Sequence, residues 1–140
     1  MGKLKVILES TRSRRGGHIA RKAALVIRSD GSIITVSPSG GQPVKGTYAK
    51  GFAREVEVEL AEGDTLIWVY LVRNSRGHVK GEFIVYDHKG TPLLRAVYRK
   101  MKLRRSWGDP SYSWAIERAI EAFKLDRFVK RINMSTGASG

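Results

Sequence analysis

Residues 54–60 read REVEVEL and alternate between apolar and acidic side chains. The apolar residues Val56, Val58 and Leu60 fall on one side of an extended chain, and the intervening glutamates fall on the other. A period of two residues fits a β-strand with one buried face, whereas an amphipathic helix repeats every 3.6 residues. This segment therefore predicts a sheet that covers a core on at least one side.

Other β-type segments surround this strand at short intervals and are bounded by turn residues. Such runs occupy 3–9, 18–29, 32–36, 65–72 and 78–87, and a longer strand is predicted from about residue 93 to residue 105. Asp30-Gly31 is a strong signal for a hairpin between the second and third of these runs. The run at 65–72, TLIWVYLV, is apolar on both faces and is expected at the centre of the sheet.

The end of the chain changes to a helical pattern. Asp109 is expected to cap a helix that begins at Pro110. Apolar residues then recur at helical spacing: Ile116, Ala119, Ile120 and Phe123. A second stripe is rotated from the first and predicts either a helix that touches two surfaces or a break near Asp126. Its residues are Leu125, Phe128, Val129 and Ile132.

These patterns predict an α+β fold: an antiparallel β-meander of about six or seven strands with a C-terminal helix packed on one face. We expect one domain over residues 1–134 and a short disordered tail at 135–140. No apolar run is long enough to cross a membrane and no signal peptide is recognisable, so no membrane contact is expected.

Excess positive charge is confined to two segments of the chain. The sequence has 26 Lys and Arg against 13 Asp and Glu, which gives a net charge of +13. Residues 1–28 carry eight of the bases and one acid, and residues 93–108 carry six bases and no acid. A charge of this size on a small domain favours a polyanionic partner, which is expected to bind these two segments.

The stretch 98–107, YRKMKLRRSW, combines five bases with an aromatic residue at each end. A single strand over 93–105 would turn its apolar residues toward the core: Val97, Met101 and Leu103. The outward face is then basic with one aromatic residue: Tyr98, Lys100, Lys102 and Arg104. Such a face can neutralise phosphates and stack a base; the alternative is a solvated face that pairs with the glutamates of 54–60. In one continuous strand, Arg99 and Arg105 would lie on the same face as the apolar residues. This predicts that the inner face is uncovered there or that the strand register shifts.

The second basic segment, TRSRRGGHIARK at 11–22, has paired glycines and no apolar residue before Ile19, so we predict a mobile arm or loop. Arginines on such a segment follow nucleic-acid backbones and become ordered on contact; the alternative is a solvated hairpin loop. Candidate nucleic-acid-binding residues outside the 98–105 stretch are Arg12, Arg14, Arg15, Arg21, Lys22, Trp107, Lys124, Arg127, Lys130 and Arg131. Those within it are Tyr98, Arg99, Lys100, Lys102, Arg104 and Arg105.

Sequence patterns for catalysis or metal binding are absent. The chain has no Cys, which excludes disulfides, zinc–thiolate sites and thiol nucleophiles. Its histidines, His18, His78 and His88, lie beside glycine-containing turns without metal-ligand spacing. The glycine-bearing loop at 39–46 lacks the order of a phosphate-binding loop. We therefore predict a non-enzymatic protein without a cofactor or a metal; the lack of Cys with abundant Lys, Arg and Glu also suits a thermophile.

Residues 79–123 resemble, in element order, the core of restriction-endonuclease-like nucleases. In that family a strand with an Asp, a hairpin, a strand with Glu-x-Lys and a helix form the site. The family's Asp falls near Ile84, its Glu near Val97 and its Lys near Arg99, so only a basic group is kept. The resemblance implies an inactive relative that has kept a nucleic-acid surface.

The leading hypothesis is a largely sequence-independent nucleic-acid-binding protein that packages, coats or protects DNA, which is favoured over RNA. It would act as a chromatin-type or viral nucleocapsid-type subunit, or coat single strands, in the cytoplasm, on the nucleoid or in a virion. The rotated helical stripe suggests self-association. Two alternatives stay open. One is an assembly protein that binds an RNA-rich machine such as the ribosome or an acidic protein partner; the other is a nuclease whose site the sequence does not reveal, for which Glu82 and Asp87 are the residues to test.

Overall fold

The alternating segment at 54–60 lies in a long strand of a nine-stranded sheet. The computed structural model describes residues 2–129. Its strands are β1 (Gly2–Arg12), β2 (Ile19–Ile27), β3 (Ile33–Thr35), β4 (Gln42–Pro43), β5 (Lys50–Leu60), β6 (Thr65–Arg73), β7 (Val79–Tyr86), β8 (Pro92–Arg99) and β9 (Lys102–Gly108). A short 3-10 helix (Pro110–Tyr112) and the helix α1 (Ser113–Ala122) follow.

The strands of the sheet run antiparallel to their partners in the order β4-β5-β1-β2-β6-β7-β8-β9, and β3 lies beside β2. Strand β2 has two neighbours on one side because residues 19–22 pair with β1 and residues 25–27 pair with β3. The predicted antiparallel meander with a C-terminal helix is confirmed. Two more strands are present than predicted, because β4 lies within a predicted loop and the predicted long strand at 93–105 is a hairpin.

Helix α1 covers one face of the sheet. Its apolar side is buried: Ala115, Ile116, Ala119 and Ile120. These residues form one core with Ile67 of β6 and Phe83 of β7. Asp109 caps the preceding 3-10 helix, as predicted, by accepting a hydrogen bond of 2.9 Å from the Ser111 backbone N–H. Over residues 2–129, no helix is both long and apolar enough to span a membrane.

A second core lies on the other face of the sheet. Val6 of β1 clusters there with Val26 of β2 and Leu66 of β6, although β1 does not pair with β6. Val6 lies outside the part of β1 that pairs with β2, so these contacts hold the start of β1 against this face of the sheet. Trp68 adds to them because its Nε1–H donates to the Ile7 carbonyl at 2.9 Å. The apolar face of β5 packs into this core, as its alternation predicts.

Of the two predictions for the end of the chain, the break near Asp126 agrees better with the structure, although the helix ends a few residues before Asp126. It stops at Ala122, and Lys124 then has a left-handed backbone with φ of 54°. Leu125 and Val129 are buried in the same core as the helix. The described part of the rotated stripe therefore packs on the chain's own sheet, and this part no longer supports self-association. The remaining predictions for this end lie outside the described residues: Lys130, Arg131, Ile132 and the tail at 135–140.

Candidate nucleic-acid interface

Three hairpin turns lie at the same end of the sheet, which we call the basic end. They are the β1–β2 turn (13–18), the β6–β7 turn (74–78) and the β8–β9 turn (100–101). Because paired neighbours run antiparallel, β1, β6 and β8 all end here, and β2, β7 and β9 all begin here. The first two turns are close neighbours, since a Cβ added to Gly17 would lie 3.2 Å from the Cβ of Ser75.

The basic end carries ten exposed Lys and Arg residues on these turns and on adjoining strand ends. They are Arg12, Arg14, Arg15, Lys50, Arg73, Arg76, Lys80, Arg99, Lys100 and Lys102. The opposite end of the sheet, which we call the acidic end, carries carboxylates in its connections: Asp30, Glu62, Asp64, Asp87 and Asp109. Exposed Lys and Arg residues from both basic segments are therefore concentrated at one end of the strands.

The predicted long strand at 93–105 is wrong, because β8 and β9 are joined by a tight turn within it. Lys100 and Met101 have positive φ values of 50° and 70°, as the central residues of a type I′ hairpin turn do. The register shifts between Val97 and Tyr98, which leaves Arg104 as an extra residue on β9. The register shift predicted from the parity of Arg99 and Arg105 is therefore present.

The face of β8 and β9 away from α1 forms an open basic groove, which we call the edge patch. It is lined by Val97, Arg99, Lys100, Arg104, Arg105 and Trp107. The cross-strand pairs Val97–Arg105 and Arg95–Trp107 place these side chains on one face, because directly opposed residues of an antiparallel pair share a face. Arg99 and Arg105 thus lie where the sheet is uncovered, which the parity argument also predicted.

Trp107 is the aromatic residue of the edge patch and is 39% exposed. The guanidinium carbons of Arg95 and Arg105 lie 4.7 and 4.6 Å from its ring centroid, which are cation–π distances. Arg95 is itself positioned by Glu82, because its Nε–H donates to the carboxylate at 2.7 Å. The indole therefore contacts two guanidinium groups and keeps exposed surface that a base can contact.

Tyr98 is buried, so its predicted outward position is wrong. Its side chain is 2% exposed and meets Phe83 edge to face, with ring centroids 5.5 Å apart. Burial, with a smaller contribution from Glu117, raises the pKa of Tyr98 to about 12. Met101, which was predicted in the core, is 38% exposed because it lies in the turn. The prediction treated residues 93–105 as one continuous strand, and the turn at Lys100 and Met101 breaks the alternation on which its face assignment depended.

The segment 11–22 is a hairpin of the sheet and not a mobile arm. It comprises the end of β1, the β1–β2 turn and the start of β2. Four of its predicted binding residues are exposed: Arg12, Arg14, Arg15 and Arg21. Lys22 differs, because its side chain is 18% exposed and its Nζ lies 3.0 Å from a Glu9 carboxylate oxygen and 5.1 Å from the Tyr70 ring centroid. Lys22 therefore forms an ion pair with the buried Glu9, and little of its side chain is exposed for contact with nucleic acid.

Glu9 is a buried carboxylate whose partners are all internal. It accepts hydrogen bonds from the Thr11 hydroxyl, from the Thr47 backbone N–H at 2.6 Å and from the Thr47 hydroxyl at 3.1 Å. Burial by itself raises the pKa of Glu9, but these hydrogen bonds and Lys22 outweigh burial and lower it from its ordinary value of 4.5. Glu9 thus neutralises Lys22, and its carboxylate is not available to the exposed bases of the basic end.

The glutamates of β5 do not neutralise the edge patch. Glu57 and Glu55 pair with Lys3 and Lys5 of β1, at 3.5 and 4.0 Å. Strands β5 and β8 are not neighbours in the sheet. The alternative in which this acidic face pairs with the basic stretch across the sheet therefore does not hold.

Several residues of the basic end were missed by sequence reasoning: Lys50, Phe52, Arg73, Arg76 and Lys80. In the sequence they are separated from the two basic segments. Strand pairing brings them in, since Lys50 lies opposite Arg12 and Lys80 lies opposite Arg99. The sequence did contain a signal for them. Every second turn of an antiparallel meander lies at the same end of the sheet, so counting the Lys and Arg residues near alternate turns would have predicted a basic end.

The segment after α1 also reaches this end. Val129 forms a β-bridge with Met101 of the β8–β9 turn. Lys124 and Arg127, which precede this bridge, are exposed. These two predicted residues therefore lie in a segment that approaches the basic end.

The carboxylates considered for a nuclease site have structural partners in the described part of the chain. Over residues 2–129, no three His, Asp or Glu side chains come together as metal ligands. Glu82 is held by Arg95, and Asp87 caps its own turn by accepting from backbone N–H groups. The positions aligned with the nuclease residues share the sheet face opposite α1: Ile84, Val97 and Arg99.

Comparisons with protein-family models, with curated proteins and with solved structures gave no match.

Proposed function

We propose that this protein is a non-enzymatic nucleic-acid-binding protein that contacts the phosphate backbone with little dependence on sequence. It packages, coats or protects DNA as a chromatin-type or nucleocapsid-type subunit. Its location follows that of the nucleic acid, which is the nucleoid of a cell or, for a viral chain, the virion.

One observation carries the proposal: bases that are distant in the sequence converge at one end of the sheet. Ten like charges brought together repel one another and destabilise the fold. A bound polyanion removes that repulsion by neutralising the charges. The convergence therefore favours a role in binding over a role in stability.

The mechanism is phosphate neutralisation with release of condensed counterions. Arginine suits this task because its planar guanidinium donates two parallel hydrogen bonds to one phosphate. Long side chains on turns and strand ends adapt to the backbone without reading base edges, which explains weak sequence dependence. Trp107 adds base stacking wherever the nucleic acid is single-stranded.

Binding to random-sequence DNA at several salt concentrations tests the proposal. Log affinity should fall linearly with log salt, with a slope of about −0.9 for each duplex phosphate contact. The variant Arg99→Ala/Arg104→Ala/Arg105→Ala should bind more weakly and with a shallower slope. A matched control, Lys3→Ala/Lys89→Ala/Arg118→Ala, removes the same charge away from the basic end and should keep the slope. Undetectable binding of the unmodified protein at low salt would contradict the proposal.

The same preparation separates the alternatives. A ribosome-associated assembly protein would sediment with ribosomal particles and show no affinity for free random nucleic acid. A nuclease would cleave plasmid or single-stranded DNA with Mg²⁺ or Mn²⁺ and lose that activity in Glu82→Ala or Asp87→Ala, whereas an inactive relative would bind DNA and leave it intact. Self-association stays a prediction, which light scattering of the free protein checks.

A further inference from the structure

A second aromatic–basic groove lies near the opposite edge of the sheet, and we call it the Phe52 groove. Its main lining residues are Arg12, Ile19, Arg21, Lys50 and Phe52. Strand register builds it, because Ser10 lies opposite both Arg21 of β2 and Phe52 of β5, and Arg12 lies opposite both Ile19 and Lys50. None of the residues that line this groove is acidic.

The Phe52 groove and the edge patch open on opposite faces of the sheet. Arg21 is in register with Leu71, Leu71 with Gly81, and Gly81 with Tyr98. Because registered partners share a face, the Phe52 groove lies on the α1 side, with the buried Tyr98. The edge patch lies on the other side. Strands β5 and β9 are also six steps apart in the sheet, each of about 4.8 Å.

The composition of the Phe52 groove fits a single nucleic-acid strand. Phe52 is 42% exposed, and Arg12, Arg21 and Lys50 supply cations around it. Cations that track a backbone beside an exposed ring are the elements of single-strand binding sites. In a duplex the base faces are stacked on one another and cannot reach such a ring. The edge patch repeats the same chemistry with Trp107.

We propose that the Phe52 groove is a second site for single-stranded nucleic acid, so that one molecule holds two separate strands and bridges them. This inference rests on the proposed function and extends it to the number and kind of strands bound. Bridging follows from the geometry, since a short strand that lies in one groove leaves the groove on the other face open.

The test uses two poly-dT oligonucleotides of about 15 nucleotides, within the range that one single-strand site covers. One is fixed to beads and the other carries a fluorophore, and they cannot pair with each other. The unmodified protein should retain the fluorescent strand on the beads. The variant Lys50→Ala/Phe52→Ala should still bind the fixed strand and should retain about tenfold less of the fluorescent strand.

A matched control is Lys89→Ala/Trp114→Ala, which removes an exposed lysine and an exposed aromatic residue at the acidic end. It should bridge as the unmodified protein does. Bridging that persists in the Phe52 groove variant would assign the bridge to paired copies of the chain and overturn the inference. Binding of the fixed strand without any bridging would overturn the inference and leave the proposed function standing. If the unmodified protein does not bind the fixed strand at all, both the inference and the proposed function are contradicted.

Discussion

Trp107 exposes part of its ring beside two guanidinium groups, whereas Tyr98 lies inside the core. We expect Trp107→Ala to weaken binding of single-stranded DNA about tenfold, since one stacked base contributes about 1–3 kcal/mol. Tyr98→Phe should leave affinity unchanged, because this ring does not reach the surface. Fluorescence anisotropy of a labelled oligonucleotide measures both effects. Trp114→Ala removes another exposed indole and is the control; an equal loss in that variant would contradict a specific role for Trp107.

Glu9 makes stability depend on pH in a defined direction. Its pKa is lowered in the folded chain, so the stabilisation it contributes is complete above 4.5 and is lost as pH falls through the lower folded value. Glu9→Gln should cost about 2–3 kcal/mol at pH 7, because Lys22 then keeps a charge without its partner. The variant should also lose less stability as the pH falls below about 4.5, because it has no carboxylate to protonate at this position.

Urea denaturation at a series of pH values measures this dependence. Glu55→Gln is the control, because it removes an exposed carboxylate whose ion pair with Lys5 is long, at 4.0 Å. That change should cost less than about 0.5 kcal/mol. A pH profile of Glu9→Gln that matches the unmodified protein would assign the acid sensitivity to other carboxylates, of which Asp64 also has a lowered pKa.

At the scale of elements, the pairing of β1 with β5 depends on Gly51. Its φ is 117°, and an added Cβ would lie 2.0 Å from the Ser10 carbonyl oxygen. Gly51→Ala should therefore destabilise the protein by about 3 kcal/mol or more, through backbone strain and a clash with backbone. Gly16→Ala is the matched control, because Gly16 has a φ of 72° and open space around it, and should cost about 1 kcal/mol. Equal losses in urea denaturation would contradict this account.

The elements that the sequence predicts well are those whose own residues specify them. The alternation of β5, the Asp30-Gly31 turn and the cap at Asp109 are local signals, and each matches the structure. The β8–β9 hairpin was missed because its turn residues, Lys100 and Met101, are not those that favour positive φ. Packing and strand pairing stabilise that turn instead, and the identities of the turn residues alone do not reveal these contacts.

The candidate site shows the same division. Exposure of Arg99, Arg104 and Arg105 follows from local charge density, and the structure places all three in the edge patch. Lys22 has the same local signal, yet Glu9 draws it inward through a contact across strands. Phe52 and Lys50 have no local signal, because only the pairing of β5 with β1 puts them beside Arg12. Residues whose role depends on distant partners are therefore the ones that the sequence misassigns or omits.

At the scale of the whole molecule, the location of charge should matter more than its total. Arg15→Glu/Arg76→Glu changes two turns of the basic end, and Lys89→Glu/Arg118→Glu changes two exposed bases of the acidic end. Each pair lowers the net charge from +13 to +9, because every substitution removes one positive charge and adds one negative charge. The first pair should weaken DNA binding by about tenfold or more, whereas the second should change it by about threefold or less.

Filter binding at one fixed salt concentration compares the two variants with the unmodified protein. Thermal unfolding of both confirms that the fold is intact, which is expected because all four residues lie on the exposed surface. Equal losses of affinity would show that net charge alone governs binding, and that no particular surface is used.

The excess of exposed bases at one end gives the molecule a permanent electric dipole along its strands. The field of a nearby polyanion exerts a torque on this dipole, so a tumbling molecule turns its three hairpin turns toward the polyanion before contact. Collisions in the wrong orientation, which usually slow association, become less frequent. The rate constant for association should therefore be high at low salt and fall as added ions shorten the range of the torque. Because the basic end is oriented toward the polyanion before contact, the arrangement of the strands determines how quickly the protein associates with nucleic acid as well as how tightly it binds.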